Sequence, residues 1–239
     1  MNRQRCAILS ALLSLAGSGA VATPITVTAG DPGSLSPEYN SATVVNLDAL
    51  ASGALPYYFF DSGGPNGTVT LTGTAAVENT SIVNAYARPA GTTGNYLTVS
   101  DTTKDGALSL TFSVEENYFG LYWGSIDGYN SITFFDEGQV IATYSGDDIA
   151  AMTGLAPDGN WNDASANRYI NFYTGDNFFD QVVLSTTDFG FEVANIAYGD
   201  PPIAVAAVPE PSSLVLLGSA FTSLALARRQ RARRRVCGI

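Results

Sequence analysis

The chain has 239 residues, with 22 acidic against 11 basic side chains, a formal net charge of −11 and no histidine. The basic residues concentrate at the two ends, so the stretch between them, which keeps only Arg88, Lys104 and Arg168, has a formal charge near −19. Such a stretch repels nucleic acid, and the lack of histidine removes the commonest general base and transition-metal ligand. Both cysteines, Cys6 and Cys237, lie at the ends, which leaves the middle without a thiol.

Residues 1–22 have the pattern of a secretory signal peptide. Arg3 and Arg5 precede an apolar run from Cys6 to Ala16, and Ala20-Val21-Ala22 fits a small-residue cleavage site. We expect this segment to form a signal helix that directs the chain to the secretion machinery.

Residues 23–198 show the period-two alternation that is typical of β-strands. Thr, Val, Ile, Tyr and Phe are frequent in the alternating runs, and Gly, Asp, Asn and Pro separate them. The predicted strands are 68–72, 96–100, 108–114, 131–135, 140–144, 168–173, 181–185 and 189–196. The pattern predicts one all-β domain, a β-sandwich of the jelly-roll kind.

Three shorter segments of this domain have their own signals. Glu137-Gly138 lies between two predicted strands and is expected to form a hairpin turn. Residues 146–154 predict a short helix, because acidic residues open the segment and glycine closes it. The Pro/Ser/Ala-rich stretch 23–53 is expected to be an irregular edge that packs on the sandwich.

Carbohydrate binding is one candidate function, because sugars are held by flat aromatic faces beside amides and carboxylates. Trp161 and Tyr129 lie in Gly/Asp/Asn-rich segments, and Asp127 and Asn130 are near neighbours of Tyr129. Trp161 is surrounded by polar residues and is the better candidate for exposure. Trp123 shares its strand face with other apolar residues, which favours a place in the core.

A calcium site is a weaker candidate. Asp158, Asn160 and Asn162 place oxygen ligands at alternate positions, a spacing that lets a turn wrap a hard cation. The segment is not an EF-hand, since Asp163 occupies the position of the required glycine. Asp and Asn also favour turns for backbone reasons alone, and that interpretation is preferred. No other cofactor is expected.

Catalysis is not expected from this sequence. A glycoside hydrolase needs two carboxylates that face one groove, and the adjacent Glu115 and Glu116 point to opposite faces of a strand. The chain also lacks a Ser-His-Asp set, a phosphate-binding glycine loop and a zinc motif.

The C-terminal part has three segments in a fixed order after a linker at 199–207. Val208-Pro209-Glu210-Pro211-Ser212 comes first, an uncharged apolar run at 213–227 follows, and six arginines lie within 228–235. The prolines keep the first segment extended. The apolar run is short for a transmembrane helix, but it can span if the flanking arginines snorkel and stay cytoplasmic.

This order of segments at 208–239 resembles the PEP-CTERM sorting signal of Gram-negative bacteria. The resemblance implies an exported precursor that is held in the inner membrane by its tail and then processed by an exosortase. It also implies that Pro209, Glu210 and Pro211 are recognition residues for that enzyme.

Together these features predict an exported protein of the cell surface or extracellular matrix. The leading hypothesis is a structural or adhesive role in exopolysaccharide or biofilm. A carbohydrate-binding module, with or without calcium, is the alternative, and a secreted glycan-active enzyme is a third hypothesis.

Overall fold

The computed structural model describes residues 24–55, 57–100 and 102–202. The predicted signal peptide and the predicted sorting segment at 208–239 lie outside these residues. In chain order the strands are β1 (Thr26–Ala29), β2 (Thr43–Val44), β3 (Gly53–Ala54), β4 (Tyr58–Asp61), β5 (Thr68–Gly73), β6 (Ala75–Glu78), β7 (Tyr96–Val99), β8 (Gly106–Glu116), β9 (Tyr118–Gly124), β10 (Asn130–Asp136), β11 (Gln139–Ser145), β12 (Arg168–Tyr173), β13 (Phe179–Thr186) and β14 (Phe191–Gly199).

The strands form two antiparallel sheets. The larger has the order β1-β12-β9-β14-β7-β6-β3, with β2 also paired to β14, and the smaller has the order β11-β10-β13-β8-β5-β4. Each of the eight predicted strands is present, with ends that differ by a few residues. The all-β prediction is therefore confirmed, and the narrower jelly-roll assignment stays a prediction.

The main hydrophobic core lies between the sheets, and β9 shows how it is built. Phe119, Leu121 and Trp123 alternate along β9 and belong to the main core, while Tyr122 belongs to a second, tyrosine-rich cluster. The ring of Trp123 packs against Phe191 with centroids 4.5 Å apart, as its place among apolar neighbours predicted. Because every residue of β9 is buried, the strand has no polar alternation, and for that reason it was not among the predicted strands.

The predicted helix and hairpin turn are both confirmed. Helix α1 (Gly146–Thr153) begins with a capping box, in which the Ser145 hydroxyl accepts from the Asp148 amide and the Asp148 carboxylate accepts from the Ser145 amide. The helix ends at Gly154 in a left-handed conformation. Glu137 and Gly138, with φ of 47° and 76°, join β10 to β11, as a two-residue hairpin turn requires.

Two boundaries differ from the prediction. The stretch 23–53 is more regular than expected, because β1 pairs with the edge of β12 and β2 pairs with β14. Gly199 was assigned to the linker, but its backbone pairs with Tyr118 and it is the last residue of β14. Among residues 24–202 as described, no helix is long and apolar enough to cross a membrane, and the predicted transmembrane run at 213–227 lies outside them.

Candidate functional site

Loops at one end of the sandwich surround an open cavity of about 610 Å³. The β6–β7 connection supplies Ser81 to Ala87, and the β9–β10 loop supplies Ser125, Asp127 and Tyr129. The segment before β12 supplies Gly159 and Trp161. The β13–β14 loop and the start of β14 complete the lining with Asp188, Phe189, Gly190 and Glu192. We call this space the Trp161 cavity.

The rim of the Trp161 cavity exposes apolar and aromatic surface. Trp161 is 52% exposed and Tyr129 is 38% exposed, although both are large side chains that proteins usually bury. Ile82 and Val83 extend the apolar rim from the β6–β7 connection. Two predicted glycan-binding residues that are 32 positions apart in the chain therefore line one concave surface.

Tyr129 and Asp127 form a polar pair in this cavity. The Tyr129 hydroxyl lies 2.8 Å from Asp127 Oδ2 and 3.1 Å from the Phe189 carbonyl oxygen. A hydroxyl has one hydrogen to donate, whereas both of these neighbours are acceptors when Asp127 is ionised. Two arrangements satisfy the hydroxyl: Tyr129 donates to the Asp127 carboxylate, or a protonated Asp127 donates to Tyr129 while Tyr129 donates to Phe189.

The environment of Asp127 favours that proton. Burial raises the pKa of Asp127, and the nearby charges of Asp158 and Asp188 raise it further, while the hydrogen bond from Tyr129 acts in the opposite direction. Burial also raises the pKa of Tyr129. The pair therefore offers a ligand a hydroxyl and a carboxyl group whose protonated form is favoured more than in an exposed aspartate.

Glu192 is a second carboxyl group of the cavity, and the sequence analysis missed it. Glu192 Oε1 accepts a hydrogen bond of 2.9 Å from the Ala87 amide. The residue is 3% exposed, and burial raises its pKa to about 8. Its neighbours Phe191 and Val193 belong to the main core, so alternation places Glu192 on the outer face of the sheet. Only the tertiary fold shows that the β6–β7 connection covers it.

Asn130, unlike the other three predicted glycan-binding residues, is not among the residues that line the Trp161 cavity, and its contact with a ligand stays a prediction. Its side chain is fully buried, and its amide nitrogen donates to the Gly190 carbonyl oxygen at 3.2 Å. Asn130 therefore supports the β13–β14 loop from behind. The difference arises because Asn130 begins β10, where the chain turns into the sandwich.

The predicted calcium ligands form a loop of successive side-chain-capped turns. Asp158 Oδ1 accepts from the Asn160 amide and Asn160 Oδ1 accepts from the Asn162 amide, both at 3.1 Å. These bonds explain the Asp/Asn spacing by turn geometry. Within the described part of the chain, no group of three or more His, Cys, Asp or Glu could hold a metal ion. Calcium binding by Asp158, Asn160 and Asn162 stays a prediction.

This loop nevertheless matters to the cavity. Asp127 and Asp158 form an isolated antiparallel bridge, and the Gly159 amide donates to the Ile126 carbonyl oxygen. A Cβ atom at Gly159 would collide with the Asp127 carboxylate. The two candidate sites of the sequence are thus neighbours, and glycine lets the Trp161 segment approach Asp127.

Comparison with known proteins identifies the C-terminal part of the chain. The family model of the PEP-CTERM protein-sorting motif matches residues 207–234, which confirms the predicted resemblance. The match includes Pro209, Glu210 and Pro211, which lie outside the described residues. No curated protein and no solved structure matches the chain. The motif marks an exported precursor that is anchored in the membrane and targeted to an exosortase-type enzyme.

Proposed function

We propose that this chain, an exported protein with a PEP-CTERM sorting motif, is a surface or matrix adhesin whose sandwich domain binds exopolysaccharide through the Trp161 cavity. The sorting motif favours a structural or adhesive role, and the residues of the loops favour carbohydrate binding. An adhesin that binds a glycan has both properties. A glycan-binding domain on the cell surface or in the matrix would attach cells or protein to a biofilm.

The observation that carries this proposal is the exposure of Trp161 beside the Tyr129–Asp127 pair in one cavity. An indole face offers a large, rigid surface on which the apolar face of a sugar ring can stack. The hydroxyl and carboxyl groups beside it can donate to and accept from sugar hydroxyls. A mostly apolar cavity with a few convergent polar groups is the usual form of a small-ligand site.

The placement of the cavity suits a tethered protein. Glu192 pairs with Gly124 and Gly199 pairs with Tyr118, at the two ends of the β9–β14 ladder. Gly199 lies seven steps along β14 from Glu192, about 23 Å at the usual rise per residue. Whatever follows Gly199 is therefore joined to the end of β14 that is remote from the cavity.

The test is calorimetric titration of the full chain in mild detergent with the host's own exopolysaccharide. We expect saturable binding that Trp161→Ala abolishes. Phe59→Ala is the matched control, because Phe59 is 50% exposed but does not line the cavity. Equal binding by Trp161→Ala and the wild type would overturn the assignment of the site. Repeating the titration with a chelator tests the Asp158 loop. If that loop holds a calcium ion that supports binding, the chelator should weaken the affinity for the exopolysaccharide.

A second candidate function is cleavage of a glycan, and one observation favours it. Asp127 and Glu192 both line the Trp161 cavity, and burial raises the pKa of each. A protonated carboxyl group next to a second one is the arrangement that glycosidases use as an acid and its partner. We expect binding without turnover. Release of new reducing ends by the wild type, and its loss in Glu192→Gln, would establish the enzyme instead.

A further inference from the structure

A second cavity adjoins the first on the far side of Trp161. It has a volume of about 330 Å³ and is lined by Ser81, Arg88, Pro89, Ala90, Gly91, Trp161 and Asn162. Trp161 and Ser81 line both cavities, so the two spaces adjoin at these residues. We call the second space the Arg88 cavity.

The two cavities differ in charge. The Trp161 cavity is lined by Asp127, Asp188 and Glu192, whereas Arg88 is the single charged residue among the described lining of the Arg88 cavity. This contrast is notable because the chain between its two basic ends contains only two other basic residues, Lys104 and Arg168.

Arg88 lines this second cavity, and neither Arg88 nor Arg168 forms an ion pair among the described residues. Lys104 forms an ion pair of 2.8 Å with Asp188, and Arg168 donates to the carbonyl oxygens of Ala164 and Gly30. Among the described residues, no carboxylate lies within 4.0 Å of the Arg88 side chain.

Protein contacts hold the Arg88 side chain in position. Its Nη1 donates to the Gly94 carbonyl oxygen, and its guanidinium carbon lies 5.8 Å from the centre of the Tyr96 ring. Its backbone amide donates to the hydroxyl of Ser81, which lines both cavities. A guanidinium group has five N–H donors in a planar fork that matches a carboxylate, and a fixed fork loses little entropy on binding.

We propose that the two cavities are adjacent subsites for an acidic saccharide, in which Arg88 receives the carboxylate of a hexuronic acid unit. The neighbouring neutral unit lies in the Trp161 cavity, with the indole between the two. The inference rests on the proposed function, because it names the class of glycan that the site takes.

The charge distribution narrows this class further. The acidic domain, with the Asp188 carboxylate in the lining of the Trp161 cavity, opposes a polymer that has a negative charge on every unit. A saccharide in which acidic and neutral units alternate places one charge at Arg88 and none beside Asp127 and Glu192. We therefore expect preference for an alternating polymer over a uniformly charged one.

The experiment compares one oligosaccharide in two chemical forms with the full chain in mild detergent. The probes are an oligosaccharide of alternating hexose and hexuronic acid units and the same oligosaccharide after reduction of its carboxyl groups. We expect the wild type to bind the acidic form about tenfold more tightly, the usual value of one charge-assisted hydrogen bond. Arg88→Gln should lose this preference and bind both forms with the affinity of the wild type for the reduced form.

Two further variants should give binding results that misfolding alone would not produce. Arg88→Lys retains the charge without the fork, and we expect an intermediate preference. Asn162→Asp adds a negative charge to the Arg88 cavity without touching the contacts of Arg88, and it should also weaken binding of the acidic form alone. A sulfated oligosaccharide that binds as tightly as the hexuronic acid form would show that the site selects charge and not a carboxylate.

The failure of this inference differs from the failure of the proposed function. If Trp161→Ala abolishes binding while Arg88→Gln keeps the full preference for the acidic form, the Arg88 subsite is wrong and the Trp161 site stands. If the wild type binds neither form nor the host's exopolysaccharide, both proposals fall.

Discussion

Two buried glutamates mark the two ends of the sandwich, and their surroundings differ. Glu192 lies at the cavity end, where it accepts a hydrogen bond from the Ala87 amide. Glu116 lies at the opposite end, directly before β9, and is 1% exposed. Neither of its carboxyl oxygens has a hydrogen-bond partner among the described residues.

Glu192 lines a cavity that can take a ligand, whereas Glu116 is enclosed by packed side chains. Glu116 pairs in register with Phe179, a main-core residue, so its side chain points into the core at that end. A buried carboxyl group without a partner disfavours ionisation and lowers stability when it is forced to ionise. Glu192 has a backbone donor and lines a cavity that water or a ligand can enter. We therefore assign function to the Glu192 end and expect Glu116 to affect stability alone.

The largest expected effect is a pH-dependent gain in stability from Glu116→Gln. Burial raises the pKa of Glu116 to about 8 from 4.5, with a smaller contribution from the charge of Asp200. Because the folded state holds the proton that the unfolded state releases, wild-type stability should fall as pH rises from 4.5 to 8. Each pKa unit is worth about 1.4 kcal/mol, so the loss is of the order of a few kcal/mol.

Chemical unfolding at several pH values measures this effect. Glu116→Gln should match the wild type near pH 4.5 and exceed it at pH 8. Glu115→Gln is the control, because Glu115 is the exposed neighbour on the same strand. A parallel pH dependence in Glu116→Gln and the wild type would show that Glu116 finds a partner or solvent in solution.

Glu192→Gln should have the second largest effect on the free energy of unfolding, and the size of this effect should change when ligand is bound. The pKa of Glu192 is also raised to about 8 by burial, so its pH slope has the same sign as that of Glu116. The Ala87 hydrogen bond favours the charged form and opposes the effect of burial in setting that pKa. Saturating exopolysaccharide should change the part of the pH dependence of stability that comes from Glu192. The part that comes from Glu116 should stay the same. If ligand changes neither contribution, Glu192 has no part in the site.

The sequence could predict most strands of the sandwich but not the burial of Glu192 and Glu116. β5, with one covered face, alternates clearly and was identified within a residue of its ends. β12 is buried on both faces, but its strand was identified with the same bounds. β9 was missed because it consists only of aromatic, leucine and glycine residues and so has no polar alternation. Glu192 and Glu116 were invisible for a different reason, since their burial depends on chain segments distant in sequence. Trp161 could be identified because its polar neighbours keep it from any core.

Gly190→Ala should have the third largest effect, because Gly190 lets the β13–β14 loop approach Glu192. A Cβ atom at Gly190 would lie 2.5 Å from Glu192 Oε1 and 2.9 Å from the Ala85 carbonyl oxygen. Gly33→Ala is the matched control, with a similar positive φ and no atom within 4 Å of the added Cβ. The strain of that backbone conformation is about 1 kcal/mol in both variants. Gly190→Ala should unfold more easily than Gly33→Ala and bind exopolysaccharide more weakly. Equal stability of the two variants would contradict the close packing of the loop on Glu192.

The smallest expected effect is on the titration of Asp127 in Tyr129→Phe, and its direction reveals which group donates. If Tyr129 donates to the Asp127 carboxylate, removal of its hydroxyl raises the pKa of Asp127, because that hydrogen bond favours the ionised form. If Asp127 holds the proton and donates to Tyr129, removal of the acceptor lowers the pKa. Carboxyl NMR titration separates the two cases, with Tyr122→Phe as the control, because the Tyr122 hydroxyl donates to Ala90. We expect a loss of stability below about 1 kcal/mol, the usual value of one hydrogen bond. A lowered pKa would show that the protonated Asp127 carboxyl group donates to Tyr129, and it would make the contrast with the positively charged Arg88 cavity sharper.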